Sequence, residues 1–301
     1  MKPMLVVDVS RWQADSNGKS LVDWAKLAAG KVVGAVVKLS QGDYLADKAT
    51  LSHTNGAVEV GMWVEAYHWL DPGIDAKKQV EFVIKLVKEK GPFRRVWIDV
   101  EQYWKSWNEF YAKSITQKYD PQVISKAAKD MITGLQAAGI NTGIYTRKSF
   151  IDYLAKPMEE WIAGVPLWLA YYPWSGTRVT TTWEALAKDY IEPLTFAPKM
   201  PGTAPAEHLY MWQMSGDKFI LPGCSTPLDI NHVFVIPAVI EPDPHAVLVS
   251  AVKKLEAETS LILATLTDIT ETMDKESATL KQCYKEVDQL QGIARTHGWD
   301  V

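Results

Sequence analysis

Short runs of apolar and β-branched residues recur along the first 234 positions of the chain. They lack the strict alternation of apolar and polar positions that a strand with one solvated face would show, so each run predicts a strand buried on both faces. Eight runs have this form, and they cover residues 4–10, 32–40, 60–69, 95–101, 140–146, 165–172, 208–215 and 227–234.

Helical patterns separate most of the first five runs. In DPQVISKAAKDMITGLQAAG (120–139) apolar residues recur every three or four positions, with Asp120 and Pro121 at the start and Gly139 at the end, as in capped helices. Residues 75–91 have the same form. Alternating strands and helices predict a parallel sheet with right-handed crossovers, and eight strands predict closure into a barrel. The helical patterns weaken between the last three runs, so we expect an irregular barrel there.

The pattern changes after the eighth run. The segment PAVIEPDPH (237–245) holds three prolines and predicts a stiff linker. From Leu248 to Ala294 mainly apolar residues recur in steps of four and three, the heptad spacing of a coiled coil. A single amphipathic helix lying along the barrel is the alternative, but about 45 residues would extend roughly 65 Å, longer than a barrel face.

We therefore expect a barrel domain over 1–236, a proline-rich linker over 237–246 and a coiled-coil oligomerisation helix over 247–301. A homo-oligomer would form through residues 247–297. The number of helices in the bundle stays open, because Val252 with Leu255 favours a dimer while Leu266 with Ile269 favours more copies.

Composition narrows the class of protein. The 301 residues are enough for one large core, and 13 Trp and 12 Tyr predict an aromatic-rich core or a cleft that stacks sugars or bases. The net charge of -4 argues against a broad nucleic-acid-binding face, which would be basic.

Targeting and cysteine patterns give further expectations. Cys224 and Cys283 are far apart and indicate neither a disulfide framework nor a metal site. The first ten residues, MKPMLVVDVS, do not resemble a signal peptide, because their short apolar run meets Asp8. No apolar run is long enough to predict a membrane span. We expect a protein made in the cytoplasm without a signal peptide.

Two acidic residues interrupt the fourth run, in RRVWIDVEQYW (94–104). Asp99 and Glu101 are two positions apart, so on a strand they share a face, and they lie near the carboxyl end, where barrel active sites form. Two close carboxylates repel, so one can keep its proton near neutral pH, as general acid catalysis requires. A solvated strand end is the alternative, since this spacing alone is common.

Other predicted strands also end in polar residues. Asp8 ends the first run, Asp229 lies in the eighth, and Tyr67 with His68 lies near the end of the third. A barrel would bring these positions together at its mouth. The candidate basic partners for the acids are Lys38 and Arg147.

A divalent metal ion held by the acids and His68 is a rival interpretation of these strand ends. The simpler interpretation makes His68, between Tyr67 and Trp69, a hydrogen-bonding residue of an aromatic wall. We expect no metal and no cofactor. The aromatic segment QYWKSWNEFYAKSITQKY (102–119) predicts an amphipathic helix on the barrel or an aromatic wall beside the acids.

Seven motifs, in order along the chain, resemble glycoside hydrolase family 25, the Chalaropsis-type lysozymes that are common among phage endolysins. The motifs are DVSRWQ (8–13), AYHWLDP (66–72), WIDVE (97–101), GIYT (143–146), LWLAYY (167–172), MWQMSG (211–216) and LDINHV (228–233). The resemblance spans residues 4–235 and implies an irregular TIM-like (β/α)5(β)3 barrel. It also implies hydrolysis of the β-1,4 bond between N-acetylmuramic acid and N-acetylglucosamine in peptidoglycan.

The resemblance implies roles for individual residues. Glu101 matches the general acid/base, Asp99 matches the neighbour that stabilises charge, and Asp8 and Asp229 match two further site carboxylates. These groups suit glycoside hydrolysis, because its oxocarbenium-like state is stabilised by carboxylates and its leaving oxygen needs a proton. Whether the substrate's N-acetyl group attacks stays open. The predicted substrate-binding residues are Tyr67, His68, Tyr145, Trp168, Tyr171, Gln213 and Lys38.

Two hypotheses for the function follow. The first is a muramidase on an oligomeric stalk that acts on bacterial peptidoglycan after release from the cell, or on a phage particle. The second is a virion-associated structural or glycan-binding component that keeps the fold with little or no catalysis, as the coiled coil would allow. The segment 102–119 and the helical tail are departures that the resemblance does not explain.

Overall fold

The computed structural model describes residues 4–101, 119–174, 176–234 and 244–296, and within the last range it describes the side chains at 259, 260 and 262–292. The chain divides into two compact units, Met1–Pro237 and Ala238–Val301. The predicted aromatic insert, except Tyr119, and most of the proline-rich linker lie outside the described residues.

A closed eight-stranded barrel forms the first unit within the described residues. Its strands are β1 (Met4–Val9), β2 (Val32–Gln41), β4 (Trp63–Trp69), β5 (Val96–Asp99), β6 (Thr142–Thr146), β7 (Leu167–Ala170), β9 (Leu209–Ile220) and β10 (Leu228–Val233). Two short strands, β3 (Leu45–Ala46) and β8 (Val179–Thr180), pair with β2 and β9. Each of the eight predicted strands is present, and the predicted closure is confirmed.

The strands follow the order β1-β2-β4-β5-β6-β7-β9-β10, and β10 closes the barrel onto β1. Seven of these strands are parallel, whereas β10 is antiparallel to both neighbours. The expectation of an all-parallel sheet is therefore wrong for β10, because the short segment between β9 and β10 cannot hold a crossover. As a result, the start of β10 lies at the barrel end where the other seven strands finish.

Helices surround the parallel part of the barrel. The α-helices of this unit are α1 (Trp24–Ala29), α2 (Thr50–Glu59), α3 (Ala76–Lys90), α4 (Pro121–Ala137), α5 (Lys148–Leu154) and α6 (Trp183–Ala185). Short 3-10 helices span Arg11–Gln13, Lys156–Glu160, Ile162–Gly164 and Ala206–His208, and a π-helix spans Leu186–Ile191. The predicted caps of α4 are confirmed: Asp120 accepts from the Gln122 N–H at 2.8 Å, and Gly139 has a φ of 76°.

Aromatic side chains fill the interior of the barrel. The Trp97 ring centroid lies 5.9 Å from that of Trp168 and 5.2 Å from that of Tyr210. At the closed end, buried Glu65 accepts from Trp97 Nε1 at 2.6 Å and from the Tyr210 hydroxyl at 2.8 Å. Gly143 leaves room for this packing, since a Cβ there would lie 2.3 Å from the Trp97 ring. This packed aromatic layer supports the residues at the mouth of the barrel.

The second unit contains helix α7 (Pro244–Thr296), whose 53 residues extend about 80 Å. This confirms a long C-terminal helix over the described residues, while its association with other copies stays a prediction. None of the helices in the described ranges has an apolar stretch that could span a membrane.

Candidate active site

The acid pair of the fourth predicted strand lies at the mouth of the barrel. Asp99 ends β5, and Glu101 follows two residues later with a side chain that is 21% exposed. The guanidinium of Arg147, just beyond β6, forms an ion pair with Glu101, with 3.1 Å between Nη2 and Oε2. The Asp99 side chain is buried, and its Oδ1 has no hydrogen-bond partner among the described residues.

The protonation of Asp99 follows from this geometry. Burial and the neighbouring Glu101 carboxylate raise the pKa of Asp99 well above its usual range, against the opposing effects of Lys38 and Arg147. Asp99 therefore binds its proton more tightly than an ordinary aspartate does. The pair consists of this buried acid and of Glu101, which is ion-paired with Arg147.

A second acid pair lies where the first and last strands of the barrel meet. Asp8 on β1 and Asp229 on β10 are direct partners in the antiparallel register. Burial raises the pKa of Asp8 to about 6. Burial and the proximity of Asp8 raise the pKa of Asp229 well above its usual range. Because β10 runs antiparallel, Asp229 reaches the mouth from the amino end of its strand.

Gln213 on β9 connects this second pair to the aromatic wall. Its Nε2 donates to Asp8 Oδ2 at 2.9 Å and to Asp229 Oδ2 at 3.5 Å. Its Oε1 accepts from the hydroxyls of Tyr145 at 2.6 Å and Tyr172 at 2.7 Å. The two hydroxyl donors fix the orientation of the amide, so its N–H groups point at the acids.

Asn231 donates a second hydrogen bond to Asp8. Its Nδ2 donates to Asp8 Oδ2 at 2.8 Å, and its Oδ1 accepts from Trp168 Nε1 at 2.8 Å. The Trp168 ring in turn packs against Tyr145, with 4.3 Å between centroids. Sequence reasoning missed Asn231, although its position two residues after Asp229 places it on the same face of the strand.

Lys38, on β2, provides a cation at the mouth. Its Nζ lies 5.5 Å from the ring centroid of Tyr67 and 4.8 Å from that of Trp69. Burial lowers the pKa of Lys38, while the charge of Asp99 acts to raise it. Lys38 and Tyr67 therefore belong to the wall beside the first acid pair, and their contact with substrate stays a prediction.

His68 does not belong to this site. Its Nδ1 lies 2.9 Å from Ser40 Oγ and its Nε2 lies 3.2 Å from Gln79 Oε1, in the layer between β4 and α3. Burial lowers its pKa to about 4. Side chains alternate along a strand, so Tyr67 faces the barrel interior and His68 faces the helices. We correct the prediction that His68 binds substrate, because the side chain is fully buried there.

The Tyr171 ring packs among other aromatic side chains. Its ring centroid is 6.0 Å from that of Phe196 and 6.3 Å from that of Trp212. The next residue, Tyr172, is the one that donates to Gln213. The hydroxyl that reaches the acid network therefore belongs to Tyr172, and contact of Tyr171 with substrate stays a prediction. The neighbouring tyrosine was the available signal, but the run did not show which of the two faced inward.

The rival metal site is not supported by the described side chains. Among residues 4–101, 119–174, 176–234 and the described part of α7, no group of three or more His, Cys, Asp or Glu side chains could hold a metal ion. His68, which that site required, points into the helical layer.

Several solved structures share the fold of this barrel. The structure of a bacterial lysozyme from Streptomyces coelicolor has a TM-score of 0.57 and 18% identity, covering 78% of this chain and 94% of the other. A muramidase from Trichobolus zukalii gives 0.55 and 16%, with 78% and 95% covered. The modular autolysin LytC from Streptococcus pneumoniae, solved with a synthetic peptidoglycan ligand, gives 0.55 and 17%, with 77% and 46% covered.

Sequence comparison identifies the family over the first part of the barrel. No curated protein matches the chain. The profile described as Glycosyl hydrolases family 25 matches residues 7–188, which is more than half of the 301 residues and includes Asp8, Asp99 and Glu101. The chain therefore belongs to glycosyl hydrolases family 25.

Proposed function

We propose that the chain is a muramidase that hydrolyses the β-1,4 bond between N-acetylmuramic acid and N-acetylglucosamine in peptidoglycan. The observation that carries this proposal is the pair at the end of β5, where Asp99, whose pKa is raised by burial, lies beside Glu101 in its ion pair with Arg147. Family membership and the likeness to lysozymes and to an autolysin support the choice of peptidoglycan as substrate.

In this proposal the pair holds the proton that the leaving oxygen needs. Without substrate, Glu101 is ion-paired with Arg147, and we propose that the proton is held by Asp99, whose pKa is raised. When the sugar enters, the proton passes to Glu101, which donates it to the glycosidic oxygen as the bond to the anomeric carbon breaks. Glu101, again a carboxylate, then takes a proton from the water whose oxygen bonds to the anomeric carbon.

Asp99 stabilises the reaction after giving up its proton. As a carboxylate it offsets the positive charge that develops on the sugar, or accepts a hydrogen bond from the N-acetyl amide and so orients that group. The ammonium of Lys38 favours this ionised form, because its charge lowers the pKa of Asp99. Both routes, attack by the N-acetyl carbonyl and direct attack by water, use the same two proton transfers by Glu101.

The second acid pair contributes a fixed negative charge. Asp8 accepts hydrogen bonds from Gln213 and Asn231, both of which favour its ionised form. With a pKa of about 6, Asp8 is mostly ionised at neutral pH. Burial and the neighbouring Asp8 raise the pKa of Asp229, which disfavours a second charge beside the first. We propose that this pair stabilises the oxocarbenium-like sugar from the side of the mouth opposite β5.

The aromatic wall gives the site a surface for sugar rings. Tyr67, Trp69 and Tyr172 are partly exposed around the acids. Aromatic faces pack against the apolar faces of sugars, while the hydroxyls and carboxylates bond the polar edges. We propose that the enzyme acts at the bacterial cell wall, where peptidoglycan lies.

Release of soluble fragments from purified peptidoglycan tests the proposal. We expect Glu101→Gln to lower the rate by about a thousandfold, because a general acid contributes about 10²- to 10⁴-fold. Glu89→Gln is the matched control, since Glu89 lies on the outer face of α3 in an exposed pair with Lys85. Peptidoglycan binding without any release by the unmodified chain would instead support the glycan-binding alternative.

A further inference from the structure

Helix α7 carries apolar side chains that the described part of the chain leaves uncovered. Within the four-and-three spacing of the heptad, these side chains are between 49% and 65% exposed. They are Ile262, Leu266, Ile269, Met273, Leu280, Val287 and Leu290. A helix of this length gains most of its stability by packing such a stripe against a partner.

The positions that flank the stripe are unusual for a two-stranded coiled coil. In the heptad register set by the stripe, Leu266, Met273 and Leu280 occupy position a, while Ile262 and Ile269 occupy position d. Two-stranded coiled coils commonly place Glu and Lys at the flanking positions e and g, where they form ion pairs between helices. From 263 to 284 the residues at e and g are all uncharged: Leu263, Thr265, Thr270, Thr272, Ser277, Thr279 and Tyr284.

The charged residues lie on the opposite side of the same helix, apart from Glu276 at position d and Glu286 at position g. Over the described residues 262–292 they occupy positions b, c and f, and they are Asp268, Glu271, Asp274, Lys275, Lys281, Lys285 and Asp288. The apolar and uncharged surface is thus wider than the a and d seam, and the solvated surface is correspondingly narrower.

The threonine hydroxyls on the flanks are satisfied within the helix. Thr270 Oγ1 donates to the Leu266 carbonyl at 2.8 Å, and Thr272 Oγ1 donates to the Asp268 carbonyl at 2.9 Å. Thr279 Oγ1 donates to the Lys275 carbonyl at 3.0 Å. Because each donor already has a partner, these side chains can be buried without losing a hydrogen bond, and their methyl groups add apolar contact.

We propose that α7 associates with copies of itself in a bundle of at least three helices. In a bundle of three or more, each helix buries its e and g flanks as well as a and d, which matches the width of the uncharged surface. Leu266 at a followed by Ile269 at d is also the combination that favours more than two strands. The occupant of the stripe is a second copy of the chain, because its heptad spacing is complementary to itself.

This assembly would join several catalytic barrels. Copies that share one bundle bind an extended polymer with an avidity greater than that of one barrel. The assembly itself does not depend on the proposed hydrolysis, so the two proposals fail separately.

Sedimentation equilibrium of the full-length chain measures the assembly directly. We expect a mass at least three times 33.7 kDa at micromolar concentration. A mass of one or two copies would overturn the proposal.

A matched pair of substitutions tests the role of the flanks. Thr272 and Thr267 both donate to the carbonyl four residues earlier, at 2.9 Å, but Thr272 occupies flank position g and Thr267 occupies outer position b. We expect Thr272→Asp to raise the dissociation concentration at least tenfold and Thr267→Asp to leave it unchanged. Equal effects of the two changes would contradict the buried flank. The near-ultraviolet circular dichroism of the buried tryptophans, which include Trp97 and Trp168, checks that the barrel is folded in both variants.

A substitution at Glu276 should strengthen the assembly instead of weakening it. It occupies position d between Met273 and Leu280, where every copy would bring a carboxylate into the bundle core. We expect Glu276→Leu to lower the dissociation concentration at least tenfold. A weaker assembly after this change would contradict the register of the stripe.

Discussion

Asp8 and Asp229 face each other across the antiparallel pair of β1 and β10, and Gln213 Nε2 donates to both, at 2.9 and 3.5 Å. The first and last strands of the barrel thus meet at two acids. Two carboxyl groups in such contact do not both ionise near neutral pH, because each charge disfavours the other. The strand pair that closes the barrel therefore depends on the protonation state of Asp8 and Asp229.

The Asp8→Asn variant should be more stable than the unmodified chain at pH 8. The pKa of Asp8 is about 6 in the folded chain and near 3.8 when unfolded, so the folded state binds the proton more tightly. The stabilisation is complete below about pH 4 and is lost as the pH rises through 6. We expect a gain on the order of 2 kcal/mol in the free energy of unfolding at pH 8 and almost none at pH 4.

Urea unfolding at the two pH values measures this difference. A gain of the same size at pH 4 and pH 8 would show that the substitution acts through packing and not through the ionisation of Asp8.

Two adjacent tyrosines provide a matched test of the hydrogen bonds at the mouth. Tyr172→Phe removes one of the two hydroxyls that orient Gln213, whereas Tyr171→Phe removes a hydroxyl from a ring that packs on Phe196 and Trp212. We expect Tyr172→Phe to lower kcat about five- to tenfold, the size of one hydrogen bond of about 1 kcal/mol. Tyr171→Phe should leave kcat unchanged. A larger loss of kcat in Tyr171→Phe than in Tyr172→Phe would contradict the role given to Tyr172.

Arg147 should set the alkaline limit of activity. Its charge lowers the pKa of Asp99 and it pairs with Glu101. Without that charge the acid pair binds its proton more tightly, so Arg147→Gln should move the alkaline limb of the kcat profile upward by about one pH unit.

Arg94→Gln is the control for this profile, because Arg94 lies over the Trp63 ring at the other end of the barrel. A downward shift in Arg147→Gln, or an equal shift in both variants, would contradict the proton assignment.

The sequence predicted the barrel well because its strands are buried on both faces and therefore appear as continuous apolar runs. The same feature hid the direction in which individual side chains point. In the third run nothing in the pattern indicates that Tyr67 faces inward and His68 outward, and in the sixth run the same ambiguity separated Tyr171 from Tyr172. The i and i+2 rule did hold for Asp99 and Glu101, whose carboxylates both line the mouth.

Long-range hydrogen bonds are the other feature of the site that the spacing of residues along the sequence could not predict. Gln213 reaches Asp8 across 205 positions, and Asn231 reaches it across 223. Glu65 was passed over because it lies inside an apolar run, although it anchors Trp97 at the closed end of the barrel. These contacts depend on the closure of the barrel, which brings the ends of the sheet together.

The chemical identity of the released fragments tests the proposed reaction most directly. Mass spectrometry of digested peptidoglycan should show glycan fragments with N-acetylmuramic acid at the reducing end, and Glu101→Gln should release them about a thousandfold more slowly. Fragments that end in N-acetylglucosamine would contradict the proposed bond, and an unchanged rate of release by Glu101→Gln would contradict the proposed acid.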